Sequence, residues 1–149
     1  MKTIPATLEW LPQIAVLFDM YRVFYEKTTD ITAATDFLKA RLTQQDSQIF
    51  LLITEKEPAY AIGFTQLYPL WSSTRMGKLW LLNDLFIHPA YRGQGYAPLL
   101  MERAKQFARE TGAVGVMLET AQSNIIGNQL YPKMGFELDT QFNWYHWTA

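Results

Sequence analysis

The spacing of apolar positions changes period along the chain. In the first third, Ile14, Leu17, Phe18, Tyr21 and Tyr25 recur at intervals of three and four, which predicts a helix with one apolar stripe. Asp30 is placed to cap a second helix carrying Phe37, Leu38 and Leu42. From residue 48 the texture becomes that of strands. QIFLLITE (48–55) reads as a buried strand, Glu57-Pro58 as a turn, and AYAIGFTQLYPL (59–70) as a second strand. WSSTRMG (71–77) is a polar turn and KLWLLNDLFI (78–87) a third long strand. The short connections favour an antiparallel meander.

Helical spacing returns at Leu100, Ala104, Phe107, Ala108 and Thr111, and Gly112 is a natural stop. AVGVMLET (113–120) follows as a strand, far enough from strand 78–87 to be joined to it by a parallel crossover. A short helix is predicted from about residue 124 to 134, then two strands around 136–138 and 142–147. The expected fold is α+β: one domain over residues 1–149, with a mostly antiparallel sheet, a parallel strand pair and flanking helices.

Composition narrows the function classes. Hydrophobic residues make up 49% of 149, enough for a sizeable core. Lys and Arg number 13 against 14 for Asp and Glu, so no basic excess points to nucleic acid. No apolar run approaches a membrane span, and MKTIPATLEW lacks a signal-peptide core, which favours a cytoplasmic protein and a small-molecule partner. Cysteine is absent, so thiolate metal sites and covalent cysteine intermediates are excluded. The two histidines, His88 and His146, have no zinc spacing, and no metal is expected.

DLFIHPAYRGQGYAPLL (84–100) runs from a predicted strand through a glycine loop into a helix. Gly93 and Gly95 can simply supply positive φ, or they can cradle a phosphate on successive N–H groups at the helix start. Pro98 suits the first helical turn. No Lys-Ser/Thr follows the glycines, which excludes a Walker loop. A dinucleotide fingerprint fails too: the third glycine is missing, and five residues separate Ile87 from Gly93.

Arg92-Gly93-Gln94-Gly95-Tyr96-Ala97 resembles the Arg/Gln-x-x-Gly-x-Gly/Ala pyrophosphate loop of the GNAT superfamily of acetyl-CoA-dependent N-acetyltransferases. LETAQSNIIGNQLYPKMGF (118–136) resembles that family's next strand, Asn-containing turn and Leu-Tyr…Gly-Phe helix end. The resemblance implies the GNAT acyl-CoA N-acyltransferase fold, in which the parallel strand pair is splayed. It also implies acetyl-CoA as acetyl donor, its diphosphate on residues 93 to 97 and Arg92 beside it. The pantetheine arm is then expected along the backbone of Leu85, Phe86 and Ile87.

The same resemblance points to catalytic groups. A lysine-like amine has a pKa of about 10.4, so its neutral form costs roughly 4–5 kcal/mol to reach at pH 7. Asp84 is a candidate base; the alternative is that it anchors a loop or binds a backbone N–H, and Glu26, Glu119 and water are rivals. Tyr131 matches the family tyrosine near the leaving sulfur, as a general acid or a hydrogen-bond donor to the thiolate. Asn124 matches an asparagine that contacts the pantetheine arm, or is only a helix cap. Gly127 stands where alanine is usual and is expected to loosen its helix; Pro132 is expected to disturb Tyr131.

The acceptor is expected to be a small primary amine, with Tyr25, Glu26, Tyr68 and Trp71 in its wall and Tyr21 nearby. The lack of cysteine supports direct attack on acetyl-CoA in a ternary complex and excludes an acetyl-cysteine intermediate. A protein lysine or N-terminal acetyltransferase and a non-catalytic acyl-CoA-binding module are the competing readings. Trp144, Tyr145 and Trp147 on both faces of a last strand point to a homodimer.

Overall fold

The computed structural model describes residues 1–149, which divide into two compact units, 1–118 and 119–149. In the first, strands β1 (Lys2–Pro5), β2 (Gln48–Ile53), β3 (Ala61–Ser72), β4 (Gly77–Ile87) and β5 (Gly115–Met117) form one sheet in that order. The pairs β1–β2, β2–β3 and β3–β4 are antiparallel, and β4–β5 is parallel. The meander and the crossover are therefore as the connection lengths predict. β1 carries no pattern long enough to announce it, being only KTIP.

Helices α1 (Leu11–Phe24) and α2 (Ile31–Gln44) pack on one face of the sheet. Ile14, Leu17 and Phe18 of α1 and Ala34 and Leu38 of α2 meet Ile49, Leu51, Ile53, Phe64 and Phe86. Helix α3 (Ala97–Glu110) covers the other face. Phe107 packs edge-on against Phe50 at 5.3 Å and tilted against Trp80 at 4.9 Å. Strand alternation explains the partition: neighbours Phe50 and Leu51 are both buried, on opposite faces. Asp30 caps α2 by accepting from the Ala33 N–H at 2.9 Å, as its position predicts.

The unit of residues 119–149 contains one helix, α4 (Ile125–Lys133). The helix runs through Pro132. The sequence pattern overreaches here in two places. Strand 113–120 is reduced to the three residues of β5, because pairing with β4 ends at Leu81–Met117. The strands expected at 136–138 and 142–147 are not formed. Alternating aromatics suffice for a strand pattern, but a strand also needs a ladder partner for its N–H and C=O groups. No helix is long and apolar enough to cross a membrane.

Candidate acetyl-transfer site

Two irregularities in β4 shape the candidate site. The β3–β4 register shifts between Gln66 and Leu67: Gln66 pairs with Asp84 but Leu67 pairs with Leu82, leaving Asn83 as the extra residue of a bulge. On its other edge, β4 pairs with β5 only from Leu79 to Leu81, so residues 82 to 87 have no strand neighbour there. That splay is what the resemblance to the family predicts for the segment Leu85–Ile87. Phe86 is buried among the core residues shared with α1, and Ile87 is buried as well.

Side chains hold the bulge. Thr65 Oγ1 donates to the Asp84 carbonyl at 2.8 Å, and the Tyr21 hydroxyl reaches the Asn83 carbonyl at 3.4 Å. Asp84 points to the α1 face and is 3% exposed. Its Oδ1 accepts from Asn83 Nδ2 at 3.1 Å, while its Oδ2 has no donor. Burial pushes its pKa up to about 6, partly opposed by the Tyr21 phenol and the Asn83 amide beside it. No cation neutralises it. Tyr21 is in turn held above its ordinary pKa, by burial first and by the neighbouring carboxylate second. The Tyr68 phenol is pushed up to about 12 by burial and then by Asp84.

The wall around Asp84 is aromatic. Tyr21 packs edge-on against Phe64, Phe86 and Tyr25, the last at 5.0 Å. Tyr25 and Glu26 lie in the turn after α1, where Glu26 has φ of 60°. This turn is latched by the buried Asp19, which accepts from the Thr29 hydroxyl, from the Asp30 N–H at 2.8 Å and from Arg22 at 3.3 Å. Tyr68 is hydrogen-bonded to the Gln66 amide. Trp71, expected in the same wall, is not there. Three residues beyond Tyr68, it falls on the opposite face of β3, with the Lys78 ammonium 5.6 Å from its ring centre, and it is 74% exposed.

Beyond β4, a single 3-10 turn (Pro89–Tyr91) leads to the glycine loop. Gly93 and Gly95 have φ of 74° and 76°, and nothing lies within 4 Å of where a Cβ would stand on either. The N–H groups of residues 93 to 97 donate to nothing within the chain, and Pro98 lies in the first turn of α3. This row of free donors at a helix start fits a diphosphate. Arg92 is turned back toward the strand. Its Nε donates to the Ile87 carbonyl at 2.9 Å and its guanidinium stacks on Phe86 and Phe24 at 5.1 and 5.5 Å. Gln94 reaches only the Ala90 carbonyl, at 3.5 Å.

In residues 119–149, Asn124 caps α4. Its Oδ1 accepts from the Gly127 N–H at 3.1 Å and its Nδ2 donates to Thr120 Oγ1 at 2.9 Å. Gly127 is explained by the same contacts. A Cβ there would stand 2.5 Å from Asn124 Nδ2 and 3.1 Å from Tyr131 Cε2, so the glycine admits the cap rather than merely loosening the helix. Tyr131 packs edge-on against Phe136 at 6.3 Å.

A family model described as the acetyltransferase (GNAT) family matches residues 14–136. The chain belongs to that family. Among GNAT proteins it is 43% identical over 129 residues to the uncharacterized N-acetyltransferase YhfO of Bacillus subtilis (strain 168), covering 87% of this chain and 85% of that one. A probable acetyltransferase of Haemophilus influenzae is 31% identical over 124 residues, 83% of this chain and 81% of its own. The crystal structure of a probable acetyltransferase superposes with a TM-score of 0.94 at 36% identity, covering 100% of this chain and 98% of that one. The protein is thus a GNAT acetyltransferase with the family's mixed sheet, and acetyl-CoA is the donor typical of that family. It has no group of three or more His, Cys, Asp or Glu side chains placed to hold a metal ion.

Sequence reasoning missed Gln66. It sits in the strand AIGFTQLYPL, is wholly buried, and faces Asp84 across the bulge. The signal was present: an amide at an inward position of an otherwise apolar strand.

Proposed function

We propose that the protein transfers the acetyl group of acetyl-CoA directly to a primary amine of a small molecule, such as a polyamine or an amino acid, within a ternary complex. One observation carries the reading. Asp84 is a buried carboxylate without a counter-charge, held at a β-bulge beside the unpaired edge of β4 and upstream of the glycine loop.

When bound, acetyl-CoA supplies an acetyl thioester. The N–H groups of residues 93 to 97 hold its diphosphate, and the main chain of Leu85–Ile87 pairs with its pantetheine arm. Arg92 braces the loop against the end of β4 through Ile87 and Phe86. Asp84 accepts a proton from the acceptor's ammonium, which frees the nitrogen lone pair for attack. The C–N bond forms as the C–S bond breaks, the sulfur leaves with the electron pair, and the second nitrogen proton passes to it. Tyr131 stabilises the leaving thiolate by a hydrogen bond, or hands its own proton to the sulfur and takes the second nitrogen proton in its place. Its Brønsted match is modest: a phenol of pKa about 10 protonates a thiolate of pKa about 8.5 uphill by about 2 kcal/mol in water.

Tyr25, Glu26 and Tyr68 wall the acceptor side, with aromatic faces suited to a cation. Direct transfer agrees with a chain that has no cysteine to carry the acetyl group. The reading includes a cytoplasmic homodimer, with exposed Phe142, Trp144, Tyr145 and Trp147 as surface for a second copy; sedimentation equilibrium gives the mass that decides this.

The experiment is calorimetric binding of acetyl-CoA followed by thiol release across a panel of amines. Binding with turnover of small amines is expected. Failure to bind acetyl-CoA refutes the donor assignment, and turnover of peptides alone refutes the acceptor class.

A further inference from the structure

Gln66 and Asp84 are register partners on β3 and β4, on the face toward α1, and are 0% and 3% exposed. Each presents a buried oxygen with no donor: Oε1 of Gln66 and Oδ2 of Asp84. Directly opposed residues of an antiparallel pair have Cβ atoms about 5 Å apart. Two buried acceptors side by side, both without donors, are costly unless something brings N–H groups to them.

The chain does not bring them. Gln66 Nε2 is bonded to the Tyr68 hydroxyl. Asn83 serves only Oδ1 of Asp84, and the Tyr21 phenol, which lies beside the carboxylate and reaches the Asn83 carbonyl at 3.4 Å, offers an O–H and no charge. The nearest elements offer phenols rather than cations: Tyr21 and Tyr25 from α1 and its turn, Tyr68 from β3. Arg41 of α2, the cation that acts on Tyr68, is itself bonded to Asp46 at 2.7 Å and Gln44 at 3.1 Å. Two unpaired acceptors, one of them on a carboxylate with no cation beside it, suit a group with several N–H donors and a positive charge.

We propose that Gln66 and Asp84 together seat the acceptor's ammonium group, Gln66 Oε1 and Asp84 Oδ2 each accepting one of its N–H bonds. The proposal rests on the amine-acetyltransferase reading above and adds Gln66 as the acceptor-binding residue. One N–H bond then breaks as an O–H bond forms on Asp84, and the electron pair stays on nitrogen. The N–H held by Gln66 keeps the neutral amine in place while its lone pair turns to the acetyl carbon. A carbonyl suits this second position because it accepts without competing for the proton. Tyr21, half-buried beside the pair, is held by a 3.4 Å contact, long for an O–H···O bond, and the adjacent Asn83 is exposed.

The test uses benzylamine, a primary amine whose ring suits the Tyr21–Tyr25 pair, with the full-length protein at pH 8. Gln66→Met is close to isosteric and deletes the acceptor; it is expected to raise the benzylamine KM at least tenfold and leave acetyl-CoA affinity within twofold. Gln66→Glu keeps an oxygen acceptor in place and is expected to retain benzylamine binding. If the amide instead donates its N–H to Asp84, Gln66→Glu becomes the worse variant and Gln66→Met moves the acid limb of the pH–rate profile without a KM change, which overturns the proposal. Absence of benzylamine binding or turnover by the wild type also overturns it; intact acetyl-CoA binding in that case leaves the donor half of the proposed function standing.

Discussion

The hydroxyl of Thr65 donates to the main-chain carbonyl of Asp84 at 2.8 Å, and both residues are buried. A side chain of one strand thus pins the backbone of its neighbour at the point where the register slips. Thr65→Val keeps the shape and removes the donor, leaving a buried carbonyl short of a partner at a cost of about 1–3 kcal/mol. The expected result is a folded protein with lower kcat and acetyl-CoA affinity within twofold. Unchanged kcat in steady-state kinetics would show that the bulge holds without this bond.

Asp84 couples activity to stability through pH. Its pKa is raised in the folded state to about 6, so ionising it weakens the fold. The stability is full below the ordinary carboxylate range and is lost as pH rises from about 4 through 6. Asp84→Asn removes that loss, by roughly 3 kcal/mol at most above pH 7 and by almost nothing near pH 4. Thermal melts of both proteins across this range are expected to diverge by several degrees with the variant higher at neutral pH, while its turnover falls at least a hundredfold. Wild-type kcat/KM is expected to rise through pH 6 as the carboxylate forms.

The loop separates binding from folding. Gly95 sits at φ 76° with open space where a Cβ would go, so Gly95→Ala meets backbone strain of about 1 kcal/mol and no clash. A Cβ nonetheless holds an anion away from the amides. Calorimetry is expected to show at least tenfold weaker acetyl-CoA binding with a melting temperature lowered by only a few degrees; equal affinity would remove the loop from the diphosphate site.

Asp19 is buried and latches the turn that carries Tyr25 and Glu26. Its pKa is lowered, chiefly by the Asp30 N–H, then by the Thr29 hydroxyl, so the stability it gives is present above the ordinary carboxylate range and fades as pH falls below it. Asp19→Asn is expected to lose about 2 kcal/mol at pH 7 and to raise the acceptor KM more than the acetyl-CoA Kd. A proportional change in both constants would mean a general loosening instead.

Tyr131→Phe removes only a hydroxyl. If that group stabilises the leaving thiolate, kcat drops at least tenfold and acetyl-CoA binds within twofold of the wild type. Unaltered turnover would eliminate Tyr131 as the acid.

Local patterns made much of this protein legible from sequence alone. Helical spacing placed α1, α2 and α3, Asp30 announced its cap, and connection lengths predicted the meander and the parallel crossover. The glycine loop was readable because positive φ and missing side chains are properties of the residues themselves. Tertiary structure decided what depends on partners. Whether 142–147 is a strand depends on a ladder, and the aromatic pattern could not supply one. Trp71 and Tyr68 lie on opposite faces because three residues separate them on one strand, a parity the sequence already carried; which face meets α1 was left to the assembled sheet. The raised pKa of Asp84 comes from burial without a cation, and Gln66 lies opposite that carboxylate because the register slips beside it. Residue type sets which groups can donate, accept or ionise; only the assembled sheet determines which of them are left without a partner.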